Sequence, residues 1–166
     1  MPHTSIFHRM PRGVLALVGL VALAAVGSAL AAQHLLGMQP CPWCIFQRVL
    51  YLAIAAVAFI GWALPARAAT LAATLGVLAL ALGGIASALF QHQVASRDES
   101  CAFTLADRFL GATGLETALP WLFQVTATCI DAAQYRLLGL PFEVLSGLLF
   151  AAIAVAALAL LRHRGR

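Results

Sequence analysis

The chain has 166 residues, of which 63% are hydrophobic and only 10% are charged. A soluble domain of this length is close to half apolar and about a quarter charged, so this composition excludes an ordinary soluble protein. This composition predicts a single domain that is embedded in a lipid bilayer. Ten arginines, without any lysine, and six acidic residues give a net charge of +4. A basic balance can indicate nucleic acid, but these arginines form no stripe and cluster near helix ends, which membrane topology explains better, so no nucleic-acid partner is expected.

The first apolar run covers residues 14–32 and follows a polar segment that contains Arg9 and Arg12. Ala29-Leu30-Ala31 resembles the small-X-small cleavage site of a secretory signal. The run is longer than the usual signal core of about 7–15 residues, and it is long enough to span a bilayer. We therefore favour an uncleaved first helix over a signal peptide that is removed.

Three later runs have the same character. They cover about residues 45–64, 68–90 and 142–161. The turn around Pro65 is too short for anything but an antiparallel return, and two small-xxx-small pairs in the third run predict close helix packing. These pairs are Gly84 with Ala88 and Gly83 with Ser87. The sequence thus predicts an all-α membrane protein, a four-transmembrane-helix bundle with loops at about 33–44 and 91–141.

The loop at 91–141 contains an apolar, aromatic segment, Glu116 to Val125, in which Pro120 suits the first position of a helix. Such a segment between two spans predicts a short interfacial helix, with Trp121 at the membrane surface. The alternative is that it folds back on the bundle as a hydrophobic plug. Pro141 and Glu143 mark the start of the last span.

The arginines near the short connections and the chain ends share one side of this bundle. They are Arg9, Arg12, Arg67, Arg162, Arg164 and Arg166. By the positive-inside rule they face the cytoplasm, so both termini are expected there. Both cysteine-bearing loops then lie on the outer face, which in a bacterium with an inner membrane is the periplasm, where disulfides persist.

All four cysteines lie outside the apolar runs, as Cys41-Pro42-Trp43-Cys44 and as Cys101 and Cys129. A Cys-X-X-Cys pair can close into a disulfide and reopen, and so accept and release two electrons. Zinc is the alternative, but Cys101 and Cys129 are much further apart than the about two to four residues of a zinc knuckle. Ile45 stands where a c-type haem motif needs His, which excludes that cofactor.

The second span carries an unusual polar face. In a helix, Cys44, Gln47, Arg48 and Tyr51 fall at i, i+3, i+4 and i+7 and share one side. Arg48 permits two interpretations. It is a side chain that snorkels to the surface one turn above, or it serves the site by stabilising a thiolate at Cys44 and negative charge on a carbonyl oxygen undergoing reduction.

The motif Cys-Pro-Trp-Cys-Ile-Phe-Gln-Arg, opening the second of four spans with a second cysteine pair after the third, resembles the DsbB family of disulfide bond formation proteins. The resemblance covers nearly the whole chain and includes Phe90-Gln91-His92 and the segment around Trp121. The sequence departs from the family's pattern in the dipeptide Pro42-Trp43 and in a short stretch before Cys101.

The resemblance implies a membrane thiol:quinone oxidoreductase. Cys101 and Cys129 match the loop disulfide that oxidises a soluble, thioredoxin-fold dithiol oxidase of the DsbA type. Cys41 and Cys44 match the pair that reoxidises this loop disulfide and passes electrons to ubiquinone or menaquinone. Cys44, Gln47, Arg48 and His92 are the candidate quinone-binding residues, and no metal site is expected.

Two other functions are weighed against this one. A thiol-quinone oxidoreductase of the vitamin K epoxide reductase type also has two cysteine pairs, but its loop pair precedes the helix-mouth pair, whereas here it follows. The other is a metal-handling or purely structural membrane protein, which would carry stoichiometric metal and show no quinone reductase activity.

Overall fold

The computed structural model describes residues 5–97, 104–137 and 139–164. Four of its helices are long and apolar enough to cross a membrane, and they confirm the predicted four-helix membrane bundle. The protein is therefore a multi-pass membrane protein. In chain order, the elements are α1 (Ser5–Leu36), α2 (Pro42–Ala63), α3 (Arg67–Gln93), a 3₁₀ turn (Ala95–Arg97), α4 (Leu105–Thr113), α5 (Leu115–Ala118), α6 (Pro120–Phe123), α7 (Cys129–Ala133), β1 (Arg136–Leu137), β2 (Leu140–Pro141) and α8 (Phe142–Arg164).

The connection between α1 and α2 is shorter than the predicted loop at 33–44. Helix α1 continues to Leu36 and stops before Gly37, whose φ of 68° is a left-handed conformation that glycine adopts without strain. Helix α2 begins at Pro42, because proline suits the first helical position and Cys41 before it is extended. The connecting segment is therefore five residues long, 37–41, and its last residue, Cys41, lies directly before α2.

The opposite end of α2 is closed by a side chain from α1. The helix ends at Ala63, since Pro65 favours an extended conformation at Leu64. Arg12 donates from Nε and Nη2 to the Trp62 carbonyl at 2.9 and 2.6 Å, and from Nη2 to the Ala63 carbonyl at 3.3 Å. A helix end leaves these carbonyls without partners inside the helix, and a cation there also interacts favourably with the negative end of the helix dipole. Arg12 is thus a cap as well as a topology signal.

Helices that are neighbours in the bundle pack side by side, α1 on α2, α2 on α3 and α3 on α8. Gly84 lets α3 approach α8, because a Cβ at this position would overlap the Phe150 ring. Ala88, the partner of Gly84 in the predicted pair, is buried and faces Gly147 of α8. The prediction was wrong for Gly83, which is exposed and has open space where its Cβ would be.

The loop between α3 and α8 is more helical than predicted. Helix α4 was not anticipated: its N-cap is Thr104, whose side chain accepts from the Asp107 amide, and its C-cap is Gly114, whose φ is 64°. Its buried face carries Ala106 and Leu110. The Phe109 ring packs edge-on against Phe46 of α2, with 5.3 Å between centroids. This contact holds the loop over the mouth of α2.

The segment around Trp121 combines the two predicted alternatives. Helix α6 starts at Pro120, as expected, and leaves Trp121 58% exposed. The next two side chains, Leu122 and Phe123, are buried in the same hydrophobic cluster as the long helices. The helix therefore plugs the bundle with one face while the indole points outward. The last span begins at Phe142, directly after the short β1–β2 pair, in agreement with the predicted start.

Candidate functional site

The Cys-X-X-Cys motif lies at the first turn of α2. Cys41 is the N-cap residue and Cys44 lies one turn into the helix, where backbone N–H groups and the helix dipole favour negative charge. Both are free thiols, with 3.1 Å between the two Sγ atoms. The hydrogen bond with Cys44 and burial of the thiol raise the pKa of Cys41 above its ordinary value. Cys41 therefore holds its proton more firmly than an exposed cysteine.

Cys41 belongs to a small buried group that also contains a loop cysteine. We call this group the cysteine cluster; its buried members are Cys41, Trp43, Ala95, Ala106, Cys129 and Ala132. The amides of Thr126 and Ala127 both donate to the Pro40 carbonyl, at 3.0 and 3.2 Å, and so tie the two cysteine-bearing segments together. Cys129 is fully buried and disulfide-bonded. Cys101 lies outside the described residues.

Cys44 packs against the edge of the cysteine cluster and also borders a cavity. The cavity has a volume of about 140 Å³ and lies between α1, α2, α8 and the loop. All four residues of the predicted polar face line it: Cys44, Gln47, Arg48 and Tyr51. Most of the remaining wall is apolar and includes Ala25, Ala29, Leu145 and Leu149. Helical spacing had predicted the shared face, and the fold encloses that face.

Arg48 does not snorkel. The residue is only 5% exposed, and its Nη1 donates to the Gln33 side-chain oxygen at 2.7 Å and to the Leu122 carbonyl at 2.9 Å. Its Nη2 donates to the Ala29 carbonyl at 3.4 Å. The Nε atom is buried and finds no hydrogen-bond partner within the described part of the chain. The guanidinium is thus fixed between α1, α2 and α6.

The other two candidate quinone-binding residues lie in different surroundings. Gln47 is buried on the cavity wall, and its amide nitrogen donates to the Gln91 side-chain oxygen at 2.8 Å. His92 is not among the described residues that line the cavity. Its Nδ1 lies 3.1 Å from a carboxylate oxygen of Glu143, and its side chain is half-exposed. A quinone-binding role for His92 stays a prediction.

Two amides at the ends of spans were not predicted as site residues. Gln33 accepts from Arg48, and Gln91 donates to both cysteine sulfurs. Each is a polar residue at the end of an apolar run that reaches the same side of the bundle as the cysteines. That position was the signal available in the sequence. As for metals, the described residues contain no group of three or more His, Cys, Asp or Glu side chains placed to hold an ion.

A redox-capable dithiol at the mouth of a membrane helix, packed against a disulfide-bonded loop cysteine, defines a membrane protein-disulfide oxidoreductase. The family model described as "Disulfide bond formation protein DsbB" matches residues 11–160. "Disulfide bond formation protein B 1" of Pseudomonas savastanoi pv. phaseolicola is 36% identical, over 96% of this chain and 90% of that protein.

Two further relatives agree with this match. "Disulfide bond formation protein B" of Dechloromonas aromatica is 36% identical, over 93% of this chain and 94% of that protein. "Disulfide bond formation protein B 1" of Pseudomonas syringae pv. syringae is 37% identical, over 78% of this chain and 77% of that protein. The chain belongs to the DsbB family, and it is a membrane oxidoreductase of disulfide bond formation.

Proposed function

We propose that this protein reoxidises a periplasmic DsbA-like dithiol oxidase and passes the electrons to a membrane quinone. One observation carries the proposal. The two sulfurs of the Cys-X-X-Cys motif are 3.1 Å apart, yet Cys41 is in the cysteine cluster with Cys129, and Cys44 lines the cavity with Arg48. The motif therefore lies between two sites. At the cysteine cluster it can exchange thiols with the loop, and at the cavity it can react with a molecule bound inside the bundle.

The exchange steps follow from this placement and balance in electrons and protons. The partner's dithiol attacks the loop disulfide, which we assign to Cys101 and Cys129, and leaves as a disulfide while the loop becomes a dithiol. A loop thiolate then attacks the Cys41–Cys44 disulfide, so the loop disulfide re-forms and Cys41 and Cys44 become thiols. Each exchange transfers two electrons through a mixed disulfide. Packing of Cys41 with Cys129 supports direct exchange between the pairs.

The cavity suits a quinone ring. Its wall is mainly apolar, and Arg48 brings a positive charge to it, which suits a carbonyl oxygen that gains negative charge on reduction. Arg48, Gln47 and Tyr51 would hold the ring beside Cys44. When bound, the quinone supplies the two-electron acceptor that returns Cys41 and Cys44 to the disulfide. Gln33 and the Leu122 carbonyl hold the guanidinium in place meanwhile.

The proposed setting is the bacterial inner membrane, with both termini in the cytoplasm and the cysteine loops in the periplasm. The arginine distribution supports this orientation, since Arg12 and Arg67 lie at the end of the bundle opposite the cysteines. An oxidising compartment also suits the disulfide at Cys129. The cysteine loops would then meet a soluble partner from the periplasmic side.

The direct test is anaerobic turnover of the purified protein in detergent, with a reduced DsbA-like partner and either ubiquinone or menaquinone. We expect one quinone to be reduced for each partner disulfide formed. Two variants separate the steps. Cys129→Ser should abolish partner oxidation while quinone still oxidises Cys41 and Cys44. Cys44→Ser should abolish quinone reduction while the loop disulfide still oxidises one equivalent of partner. Normal turnover by Cys129→Ser would show that electrons enter elsewhere and would refute the proposal.

A further inference from the structure

Gln91 lies in the last turn of α3 and places its amide against the cysteine pair. Its Nε2 is 3.3 Å from the Sγ of Cys44 and 3.5 Å from the Sγ of Cys41. The residue is only 2% exposed, so water does not compete for this contact. A side-chain amide carries two N–H donors, and one NH₂ group can therefore serve both sulfurs.

The orientation of this amide is set from the other side. Gln47 of α2 is also buried, and its Nε2 donates to the Oε1 of Gln91 at 2.8 Å. With the Gln91 oxygen turned toward Gln47, its NH₂ group faces the sulfurs. Reversal of both amides would place a carbonyl oxygen against the sulfurs, which is unfavourable for a thiolate. The two glutamines thus form a chain from the cavity wall to the cysteines.

A buried thiolate needs such a donor, because burial in an apolar environment disfavours a charged sulfur. Arg48 is the nearby cation, but its Nη atoms donate to oxygen atoms of Gln33, Leu122 and Ala29. The amide of Gln91 therefore gives the cysteine sulfurs a direct side-chain hydrogen bond. The Nη atoms of Arg48 donate their hydrogen bonds to other groups. A hydrogen bond to a charged group is worth more than one between neutral groups.

We propose that Gln91 is a catalytic residue whose amide stabilises the thiolate of the Cys41–Cys44 pair, and that Gln47 is the positioning residue that orients it. The inference rests on the proposed function only in taking Cys41 and Cys44 as the reacting pair. It adds a role for Gln47 that does not depend on contact with a quinone. Losing the donor disfavours the thiolate and makes the reduced pair less nucleophilic, and it shifts the pair toward its disulfide form.

The test measures the reduced cysteines without quinone or partner. The full-length protein in detergent is gently reduced, and the rate of iodoacetamide alkylation of Cys41 and Cys44 is followed by mass spectrometry across a range of pH. Equilibration with a glutathione redox buffer then gives the oxidised fraction of the pair. Gln91→Leu keeps the volume and removes the donor, so we expect alkylation near neutral pH to slow by about tenfold, the size of one charged hydrogen bond. The pair should also become harder to reduce.

Gln47→Leu leaves Gln91 in place and frees its orientation, so alkylation should slow by a smaller factor. The double variant should match Gln91→Leu alone, since orienting an amide matters only while it is present. Gln93→Leu is the matched control, because this exposed amide is two residues further along α3, and it should alkylate as the wild type does.

A wild-type alkylation rate and pH profile in folded Gln91→Leu would overturn the proposal. If Gln91→Leu does not fold, Gln47→Leu decides, and an unchanged rate there would overturn the proposal as well. Alkylation is independent of turnover, so a chain that fails to reduce quinone yet shows the expected alkylation pattern would refute only the proposed function.

Discussion

Arg48 shows how a buried charge is accommodated in this bundle. A guanidinium inside a membrane helix is costly unless it meets partners, and here oxygen atoms of Gln33, Leu122 and Ala29 accept from it. Each hydrogen bond to a charged group contributes roughly 1.5–3 kcal/mol, so the three together offset much of the cost of desolvation. The Nε atom is also buried and has no acceptor among the described residues.

Arg48→Ala should therefore impair both quinone reduction and stability. Loss of one preorganised donor commonly lowers a rate by roughly 10²–10³-fold, about 3–4 kcal/mol, so we expect a raised quinone KM, a lowered kcat, or both. Arg48→Lys keeps the charge but not the planar fork and should lie between wild type and Arg48→Ala. The assay follows quinone reduction at varied quinone concentration, with folded protein quantified separately.

Arg12→Ala is a matched control for this experiment. It also removes an arginine that donates to backbone carbonyls, but at the far end of α2, so it should lower stability and leave quinone kinetics unchanged. The exchange between the loop disulfide and the partner should be nearly unaffected by either change. Unaltered quinone kinetics in folded Arg48→Ala would reduce Arg48 to a structural tie between α1, α2 and α6.

At the scale of the elements, α3 and α8 illustrate packing without a hydrophobic driving force between helices. In lipid, helices associate through close van der Waals contact, which small residues permit. Gly84 receives the Phe150 ring, and that ring stacks on Tyr51 of α2 with 4.0 Å between centroids. Tyr51 in turn donates to the Ser146 carbonyl of α8 at 3.0 Å. By accommodating the Phe150 ring, Gly84 thus helps to hold Tyr51 in the cavity wall.

Gly84→Ala should destabilise the bundle by about 1–3 kcal/mol, because the added methyl overlaps the Phe150 ring and forces it to move. Gly83→Ala adds the same methyl one residue earlier, where nothing lies within 4 Å. It should be neutral or stabilising by up to about 1 kcal/mol through helix propensity. Reversible unfolding of both variants in mixed detergent measures the difference. Equal stability of the two variants would contradict the tight contact between α3 and α8.

For the molecule as a whole, the arginines and the cysteines lie at opposite ends of the bundle. One end carries the α2–α3 turn and the Arg12 cap, and the other carries the cysteine cluster and the short helices of the loop. Thiol exchange needs an oxidising compartment and access for a soluble partner, whereas arginine-bearing turns stay in the cytoplasm. The same orientation satisfies both requirements.

This orientation can be tested by labelling single cysteines in cells, in a background with all four native cysteines replaced by serine. Leu35→Cys is near the cysteine end of α1, where the leucine is 80% exposed, and it should react with a membrane-impermeant maleimide in intact spheroplasts. Ala66→Cys in the exposed turn after α2 should react only after lysis. The reverse pattern would place the cysteine loops in the cytoplasm and contradict the proposed exchange with a periplasmic partner.

The sequence by itself determined the four spans, the position of the Cys-X-X-Cys motif at the mouth of the second span and the polar face of Cys44, Gln47, Arg48 and Tyr51. These features depend on the length of apolar runs and on helical periodicity, both of which are local. The start of α6 at Pro120 and that of α8 after Pro141 were predictable for the same reason, since proline constrains its own neighbourhood.

Only the tertiary structure decided which partners these residues meet. Packing of Cys41 with Cys129, the contact of Gln91 with both sulfurs and the acceptors of Arg48 all join residues far apart in the chain. Spacing also left Gly83 and Gly84 equivalent, and the rotation of α3 against α8 separated them. Hydrophobic periodicity fixes which side of a helix is apolar, but the close packing of particular side chains fixes what lies opposite each residue.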